Sequence, residues 1–200
     1  MELFHSDHSI NLLPRDGTVN YHGKVLPGCD AWDYFEALSL TVPWKSDEVA
    51  IFGKRIVTAR KVAWFGDPEF AYTYSGSTKQ PLPWTRELKA LRELVEKPSG
   101  ETFNSCLLNL YHNGGEGMGW HSDDEREIER DSAIASLSFG AERRFLFRHK
   151  ETKEKVELTL ENGSLLVMKG ETQRHWQHQL PKMAKITTPR INLTFRKMAR

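Results

Sequence analysis

One short segment of the chain combines two side-chain types that bind metal ions. His121-Ser122-Asp123 places an imidazole and a carboxylate two residues apart, and in an extended segment both side chains project to the same side. Two histidines and one carboxylate on one face of a non-haem Fe(II) leave the remaining positions open for other ligands. The third ligand must then be a distant histidine, and His175 and His178 are the candidates. A hydrogen-bonded loop histidine is the alternative interpretation of the first pair.

A second set of polar side chains alternates with apolar ones near the end of the chain. Between Arg190 and Arg196 the alternation predicts a strand with two unlike faces. The two arginines share one face with their Cα atoms roughly 20 Å apart, so their long side chains can converge on opposite ends of one small dicarboxylate. The segment 107–111 alternates in the same way and puts Asn109 and Tyr111 on one face. The alternative is that both polar faces are exposed to water.

The elements that must position these residues are short. Asp30 is expected to cap a helix that runs to about Leu40, and a clearer helix follows Thr85 and ends at Pro98-Ser99-Gly100. In the first half we also expect a hairpin around 51–54 and strands at 57–65 and 72–74. The second half predicts only strands, at 103–111, 134–139, 144–149, 155–160, 164–168 and 190–196. So many brief strands are typical of a sandwich, barrel or jelly roll.

Composition limits the class of protein. The chain has 200 residues, 38% hydrophobic and 28% charged, which is enough apolar material for the core of one domain. No apolar run approaches the roughly 18 to 20 residues that span a bilayer, and the N-terminus is too polar for a secretory signal. Two cysteines without metal-binding spacing fit a reducing compartment. We therefore expect an intracellular, cytoplasmic monomer (nuclear in a eukaryote) with no membrane partner.

Charge is distributed unevenly along the chain. The net charge of +1 excludes a bulk polycation, but the segment 182–200 carries six basic residues and no acidic one. A local basic site therefore remains compatible with the composition.

In order and spacing, the segments that carry these residues resemble the AlkB-type Fe(II)/2-oxoglutarate dioxygenases, which oxidatively demethylate nucleic-acid bases. The resemblance covers nearly the whole chain. The matching motifs are Asn109-Leu110-Tyr111, His121-Ser122-Asp123-Asp124-Glu125, Ile134-Ala135-Ser136-Leu137-Ser138-Phe139-Gly140, Gly163-Ser164-Leu165-Leu166, His175-Trp176-Gln177-His178-Gln179-Leu180-Pro181 and Pro189-Arg190-Ile191-Asn192-Leu193-Thr194-Phe195-Arg196. The resemblance implies an α+β, mainly β fold whose core is a double-stranded β-helix, or jelly roll.

The resemblance also assigns the site residues. It gives Fe(II) the ligands His121, Asp123 and His178, with His175 as a neighbour rather than a ligand. It implies that Arg190 pairs with the distal carboxylate of 2-oxoglutarate and that Arg196 lies nearer the iron-chelating end. The complete set of residues expected to line the 2-oxoglutarate pocket is Asn109, Tyr111, Arg190, Asn192, Thr194 and Arg196.

The N-terminal half resembles the nucleotide-recognition lid of the branch that repairs duplex DNA, through the motifs Ile51-Phe52-Gly53-Lys54, Gly66-Asp67, Tyr72-Thr73-Tyr74-Ser75-Gly76 and Pro83-Trp84. An apolar pair beside a turn glycine is what a wedge that fills the gap left by a flipped base would look like. An Ile-Phe pair buried under the lid is the alternative. We expect this lid over residues 1–100, packed on a jelly-roll core over residues 101–200 as one compact unit. The expected substrate contacts are Ile51, Phe52, Gly53, Tyr72, Tyr74, Asp124 and Glu125, with Lys54, Arg55, Arg60 and Lys61 available for phosphates.

The function implied by the resemblance is oxidative repair of N-alkylated bases, such as 1-methyladenine and 3-methylcytosine, in DNA. Fe(II), 2-oxoglutarate and O2 would be required, and hydroxylation of the N-methyl group would release formaldehyde, with succinate and CO2 as co-products. The carboxylates of Asp124 and Glu125 would favour a cationic methylated base over an unmodified one.

Two alternatives remain open at this point. The same chemistry could act on RNA, or the chain could be a non-catalytic lesion-binding protein, against which the intact His121, Asp123 and His178 argue. Duplex-specialised relatives carry a longer basic loop where this chain has a short hairpin at 151–162. Alkylated DNA is therefore the expected partner in single- or double-stranded form, with RNA as the alternative.

Overall fold

Two antiparallel β-sheets pack face to face, and two α-helices cover the outer face of the larger sheet. The computed structural model describes residues 10–51, 54–70, 72–74 and 77–199. In chain order the elements are β1 (Thr18–Lys24), α1 (Gly28–Thr41), β2 (Lys45–Ile51), β3 (Lys54–Gly66), a 3-10 turn (Pro68–Phe70), β4 (Tyr72–Tyr74), β5 (Ser77–Lys79), α2 (Arg86–Ser99), β6 (Ser105–Tyr111), β7 (Met118–His121), β8 (Ile134–Gly140), β9 (Arg143–His149), β10 (Lys155–Leu160), β11 (Ser164–Lys169), α3 (Thr172–His175), β12 (Trp176–Leu180) and β13 (Arg190–Arg196). This arrangement is the expected jelly roll.

The larger sheet has seven strands in the order β1-β11-β8-β13-β6-β3-β2, and the smaller has four in the order β10-β9-β12-β7. Side chains from both sheets, such as Ile134, Phe147 and Trp176, form a core between them. A second core lies between the larger sheet and the helices, and there Leu38 of α1 and Leu91 of α2 join residues of the sheet. One apolar core therefore lies in the space between the two sheets, and the other lies behind the larger sheet.

The alternating pattern of β13 is explained by its central place in the larger sheet. It pairs with β6 on one side and β8 on the other. Ile191, Leu193 and Phe195 are fully buried in the core beneath the helices. The opposite face is also buried, since Arg190 is only 2% exposed and Asn192 is 9% exposed. The alternative of a polar face in water is wrong for this strand, and its polar side chains instead face the space between the sheets.

The two helices differ in how well their starts match the sequence prediction. The predicted cap at Asp30 is wrong: α1 begins at Gly28, because the amide N–H of Ala31 already donates to the carbonyl oxygen of Pro27 at 3.0 Å. Asp30 lies in the first turn instead, where a carboxylate interacts favourably with the helix dipole. The prediction for α2 is confirmed. Thr85 accepts a hydrogen bond from the Leu88 amide at 3.2 Å, and Gly100 ends the helix with a φ of 70°.

The hairpin predicted around residues 51–54 corresponds to β2 and β3, which pair with each other up to Ile51 and Lys54. Its turn residues, Phe52 and Gly53, lie outside the described residues. β3 also pairs with β6 and β1 pairs with β11, so the larger sheet takes strands from both halves of the chain. The predicted boundary near residue 100 stays a prediction. Among the described residues, no helix combines the length and the apolar composition that crossing a membrane requires.

Candidate metal and 2-oxoglutarate site

Three predicted metal ligands meet at the edge of the smaller sheet. His121 is the last residue of β7, and it lies directly opposite His178 on β12. Asp123 follows two residues later, in the loop that leaves β7. One ligand atom from each of the three side chains lies within 4.8 Å of the others, and the two imidazole centroids are 4.2 Å apart. These two histidines and one carboxylate can hold one divalent metal ion on a single face.

The protonation states of the three residues suit a divalent cation. Burial lowers the pKa of His178 from 6.5 to about 3, so its imidazole is neutral at neutral pH and keeps a lone pair for a metal. Burial alone would raise the pKa of Asp123, but the charges of Arg196, His178 and His121 and the hydrogen bond from Arg196 together outweigh burial, so this pKa lies below its ordinary value of 3.8. Nδ1 of His121 lies 2.8 Å from the carbonyl oxygen of Gly119, which leaves Nε2 available to a metal ion.

Neighbouring side chains hold Asp123 in position. Nη2 of Arg196 donates to Oδ1 of Asp123 at 2.7 Å, and the Asp123 amide donates to Oε1 of Gln173 at 2.9 Å. The hydroxyl of Ser122 donates to the carbonyl oxygen of Trp176 at 2.9 Å. The motif marks Ser122 only by its place between two ligands, and no sequence signal marks Gln173. Ser122 thus fixes the loop that carries the carboxylate to β12, the strand that carries His178, and Gln173 fixes the same loop to α3.

A cavity of about 560 Å³ adjoins the three ligands and runs between the two sheets. This volume falls in the usual range for small-molecule sites. All six residues predicted for 2-oxoglutarate line it, namely Asn109, Tyr111, Arg190, Asn192, Thr194 and Arg196. They come from the central strands β6 and β13, where Asn109 lies directly opposite Asn192. The metal cluster and the predicted 2-oxoglutarate residues therefore share one cavity.

Arg190 is a buried cation in this cavity. It donates to Oγ of Ser138 at 3.0 Å and to Oδ1 of Asn192 at 2.7 Å. Burial lowers its pKa from 12.5 to about 10, which still leaves it charged at neutral pH. Within the described chain its Nε has no hydrogen-bond partner and no carboxylate forms an ion pair with it. Burying a guanidinium without a counter-ion costs free energy, and a ligand with an anionic group would remove that cost. The residues present therefore fit a ligand that carries such a group.

A second cluster of possible metal ligands contains His175, with Asp16 and His149. Nδ1 of His149 accepts hydrogen bonds from the amides of Glu151 and Thr152, at 3.3 and 3.1 Å. The ring proton must then be on Nε2, which faces Oδ2 of Asp16 at 3.2 Å. A protonated nitrogen has no lone pair for a metal ion, so this cluster is a hydrogen-bonded contact between the N-terminal segment and β9. His175 belongs to that contact and not to the first cluster.

The predicted substrate residues are only partly described. Glu125 lines the cavity together with Glu127, which the sequence did not single out. Asp124 is exposed, does not line the cavity, and lies 3.8 Å from Nζ of Lys150. The side chains of Ile51, Tyr72 and Tyr74, and all of Phe52 and Gly53, lie outside the described residues.

Arg60 and Trp64 of β3 line the cavity together with Val62, although the sequence gave these residues other roles or none. Arg60 was expected among exposed phosphate contacts, and this is wrong: it is 7% exposed and its Nη1 lies 3.2 Å from Sδ of Met118. Trp64 lines the same cavity, and its indole N–H donates to Oγ of Ser105 at 2.7 Å. Their alternate positions on β3 put all three on the face towards the cavity, which is the one signal that could have identified them.

Comparison with known proteins agrees with this geometry. Residues 19–196 match the model of the 2OG-Fe(II) oxygenase superfamily. The human protein named DNA oxidative demethylase ALKBH2 is 43% identical over 180 residues, which are 84% of this chain and 69% of that protein. The human alpha-ketoglutarate-dependent dioxygenase alkB homolog 3 is 43% identical over 171 residues, which are 80% of this chain and 59% of that protein. The chain thus spans 69% of the length of human ALKBH2, 65% of the bovine protein of that name and 59% of human alkB homolog 3.

The fold has a counterpart among solved structures. The structure of OsALKBH1 superposes with a TM-score of 0.62 at 17% sequence identity, and the match covers 92% of this chain and 99% of the other. At that identity the match concerns the fold alone. The family match, the identities above and the His-Asp-His cluster lead to one conclusion: the chain belongs to the AlkB-type Fe(II)/2-oxoglutarate-dependent dioxygenases of the 2OG-Fe(II) oxygenase superfamily.

Proposed function

We propose that this chain is an oxidative demethylase that repairs N-alkylated bases, of the 1-methyladenine and 3-methylcytosine type, in DNA. The observation that carries the proposal is the shared cavity. A two-histidine, one-carboxylate cluster lies beside a buried arginine that has no carboxylate partner among the described residues. The name of the ALKBH2 relatives, DNA oxidative demethylase, supports the choice of reaction and of nucleic acid.

In this proposal each group of residues has a separate task. His121, Asp123 and His178 hold Fe(II), which when bound supplies O2 activation coupled to the oxidation of 2-oxoglutarate to succinate and CO2. Arg190 binds the distal carboxylate of 2-oxoglutarate and so orients its opposite end towards the metal ligands. Arg196 keeps Asp123 ionised and in place. The methyl group on the ring nitrogen gains a hydroxyl, and the N–CH2OH product then breaks down to formaldehyde and the repaired base.

The acidic residues at the mouth of the cavity favour a cationic substrate. Glu125 and Glu127 line the cavity and are exposed to solvent. Methylation of a ring nitrogen that normally takes part in pairing puts a positive charge on the base, and a carboxylate nearby attracts that cation more than a neutral base. We propose Glu125 for this role and place Asp124 outside it, since Asp124 lies beside Lys150.

DNA, rather than RNA, is the proposed substrate, and the long β2–β3 hairpin supports a lid that contacts it. The turn between β9 and β10 is short, which weakens the case for a grip on a complementary strand. We therefore propose activity on single-stranded DNA and on duplex DNA through the hairpin tip at Phe52. A DNA substrate also implies that the enzyme works where DNA is present, and we propose that it works as a monomer.

The experiment is mass spectrometry of synthetic oligonucleotides that carry one methylated base. The protein, purified without oxygen, is given Fe(II), 2-oxoglutarate and air with single-stranded DNA, duplex DNA or RNA of the same sequence. We expect a loss of 14 mass units from the DNA substrates, the mass of a CH2 group, with formaldehyde and succinate formed in equal amount. Faster turnover of RNA would overturn the DNA assignment. Tight binding of the methylated strand without any mass change would indicate a lesion-binding protein.

A further inference from the structure

A buried arginine that does not line the cavity lies behind one end of it. Arg143 is the first residue of β9 and is 1% exposed. Its Nη2 donates to the carbonyl oxygens of Glu116 and Pro181, both at 2.8 Å, and its Nη1 donates to that of Asn113 at 3.4 Å. Arg143 is absent from the residues that line the cavity. Its Nη1 and Nη2 groups therefore donate to the backbone of two loops, while its buried Nε has no hydrogen-bond partner among the described residues.

These two loops adjoin the strand ends that carry two cavity residues, Tyr111 and Arg190. Loop 112–117 directly follows Tyr111, and loop 181–189 directly precedes Arg190. The loops are also paired through their backbones, since the Gly114 amide donates to the carbonyl oxygen of Ile186 and the Met183 amide donates to that of Gly114, both at 2.7 Å. A Cβ atom at Gly114 would lie 2.0 Å from the Met183 carbonyl oxygen, so the two backbones touch. Arg143 thus joins the two loops next to the residues expected to meet the distal carboxylate.

Tyr111 connects Arg143 to Arg190. The guanidinium carbon of Arg143 lies 5.9 Å from the centre of the Tyr111 ring, and that of Arg190 lies 5.6 Å from it. Tyr111 is 4% exposed and lines the cavity. Two guanidinium groups near one buried ring restrict its motion, because each cation favours the ring face. Removing Arg143 would free both the ring and the loop that follows it.

We propose that Arg143 is a positioning residue for the distal carboxylate of 2-oxoglutarate. It holds Tyr111 and loops 112–117 and 181–189 so that Tyr111 and Arg190 present a preformed binding site for that carboxylate. This inference rests on the proposed role of the cavity as the 2-oxoglutarate site. Arg143 touches no ligand itself and acts through Tyr111.

The test measures binding without turnover. Arg143→Met and Arg143→Lys are compared with Arg144→Met, a control at the next residue, whose exposed guanidinium pairs with Glu157. Isothermal titration under nitrogen, at low temperature and with saturating Mn(II), gives the dissociation constants of 2-oxoglutarate and of pyruvate. Pyruvate has the same 2-oxo acid end but no distal carboxylate. Circular dichroism confirms that each variant is folded at that temperature.

We expect Arg143→Met to weaken 2-oxoglutarate binding by at least about 10-fold, equivalent to about 1.4 kcal/mol. Pyruvate and Mn(II) binding should change by less than about 2-fold, because neither uses the distal site. Arg143→Lys should recover part of the loss, since a lysine keeps the charge but not the fork of donors. Arg144→Met should bind like the wild type.

Two other results would overturn the inference. Equal losses for 2-oxoglutarate and pyruvate would mean that Arg143 has only a general structural role, and unchanged binding of both would mean that it does not position the site. Failure of the proposed function looks different. In that case the wild-type protein itself would bind 2-oxoglutarate no better than pyruvate, and Arg190→Met would not change that ratio.

Discussion

Arg196, which is distant from Asp123 in the sequence, helps to keep the Asp123 carboxyl ionised. Arg196 lies 73 residues further on, yet its Nη2 is 2.7 Å from Oδ1 of Asp123. Both side chains are largely removed from water, so the loss of either would leave the other as a buried, uncompensated charge. Residues that orient a ligand in this way commonly affect metal affinity by about 10- to 100-fold. Arg196 is therefore part of the metal site as well as of the cavity wall.

The first prediction at this scale separates two histidines that are three residues apart. His178→Ala should abolish Mn(II) binding and turnover, because it removes one of three protein ligands. His175→Ala should leave metal binding intact, since His175 lies in the separate contact with Asp16 and His149. Equilibrium dialysis with Mn(II) measures both. Loss of the metal in His175→Ala, with retention in His178→Ala, would reverse the assignment.

The second prediction concerns Arg190. Its replacement by Ala should raise the concentration of 2-oxoglutarate needed for half-maximal turnover by roughly 30- to 150-fold, since a charge-assisted pair in a partly dry pocket contributes about 2 to 3 kcal/mol. Titration of the co-substrate at saturating DNA measures this. Arg144→Ala is the control because Arg144 is exposed and pairs with Glu157. An unchanged titration curve would show that Arg190 does not meet the co-substrate.

At the scale of single elements, sequence patterns predicted some strands and missed others for a physical reason. β13 was predictable because Ile191, Leu193 and Phe195 alternate with polar residues. β12 was not predicted as a strand although Trp176, His178 and Leu180 are buried in alternation. Its inward face carries the functional histidine, and glutamines lie between, so the apolar signal is diluted. β7 is only four residues long, which is too short for a pattern to be recognised.

The hairpin formed by β2 and β3 provides a test at this scale. Phe52→Ala should reduce activity on methylated duplex DNA about tenfold more than on the same lesion in a single strand. Flipping a base out of a duplex costs unstacking free energy, and a side chain that fills the gap and offsets about 1.4 kcal/mol of that cost would produce a tenfold ratio. A single strand has no base stack with a gap to fill, so it should not show this loss. Initial rates on the two substrates, with melting temperatures of both proteins as the control, give the answer. An equal loss on both would make Phe52 a general substrate contact.

At the scale of the whole molecule, strand order joins the two halves of the chain. β11, β8, β13 and β6 occupy the middle of the larger sheet, with β1 at one edge and β3 and β2 at the other. The sequence predicted a lid over the first half of the chain and a β-rich second half. It could not show that they share a sheet, because pairing between distant strands leaves no local pattern. The metal ligands depend on the same kind of long-range pairing, because His121 on β7 and His178 on β12 come together only when these two strands pair.

This topology predicts cooperative unfolding. Residues 1–100 and 101–200 should unfold in one transition, because separating them would leave the edges of β6 and β11 unpaired. Differential scanning calorimetry should give one peak whose calorimetric and van 't Hoff enthalpies agree. Two resolved peaks would instead support independent domains. Added Mn(II) and 2-oxoglutarate should move the single peak to higher temperature, since ligands that bind only the folded state stabilise it.

The two ends of the jelly roll differ in how well they should tolerate a change in loop length. At one end, loops 112–117 and 181–189 are in backbone contact, with Gly114 against Met183, so an inserted residue would separate them. At the other end, the turn at 150–154 is largely exposed and joins two strands that pair regularly. Length variation should therefore be tolerated at the turn and rejected at the paired loops. If the proposed function holds, a longer basic segment grafted at 151–153 should change the preference between single-stranded and duplex DNA without changing 2-oxoglutarate turnover.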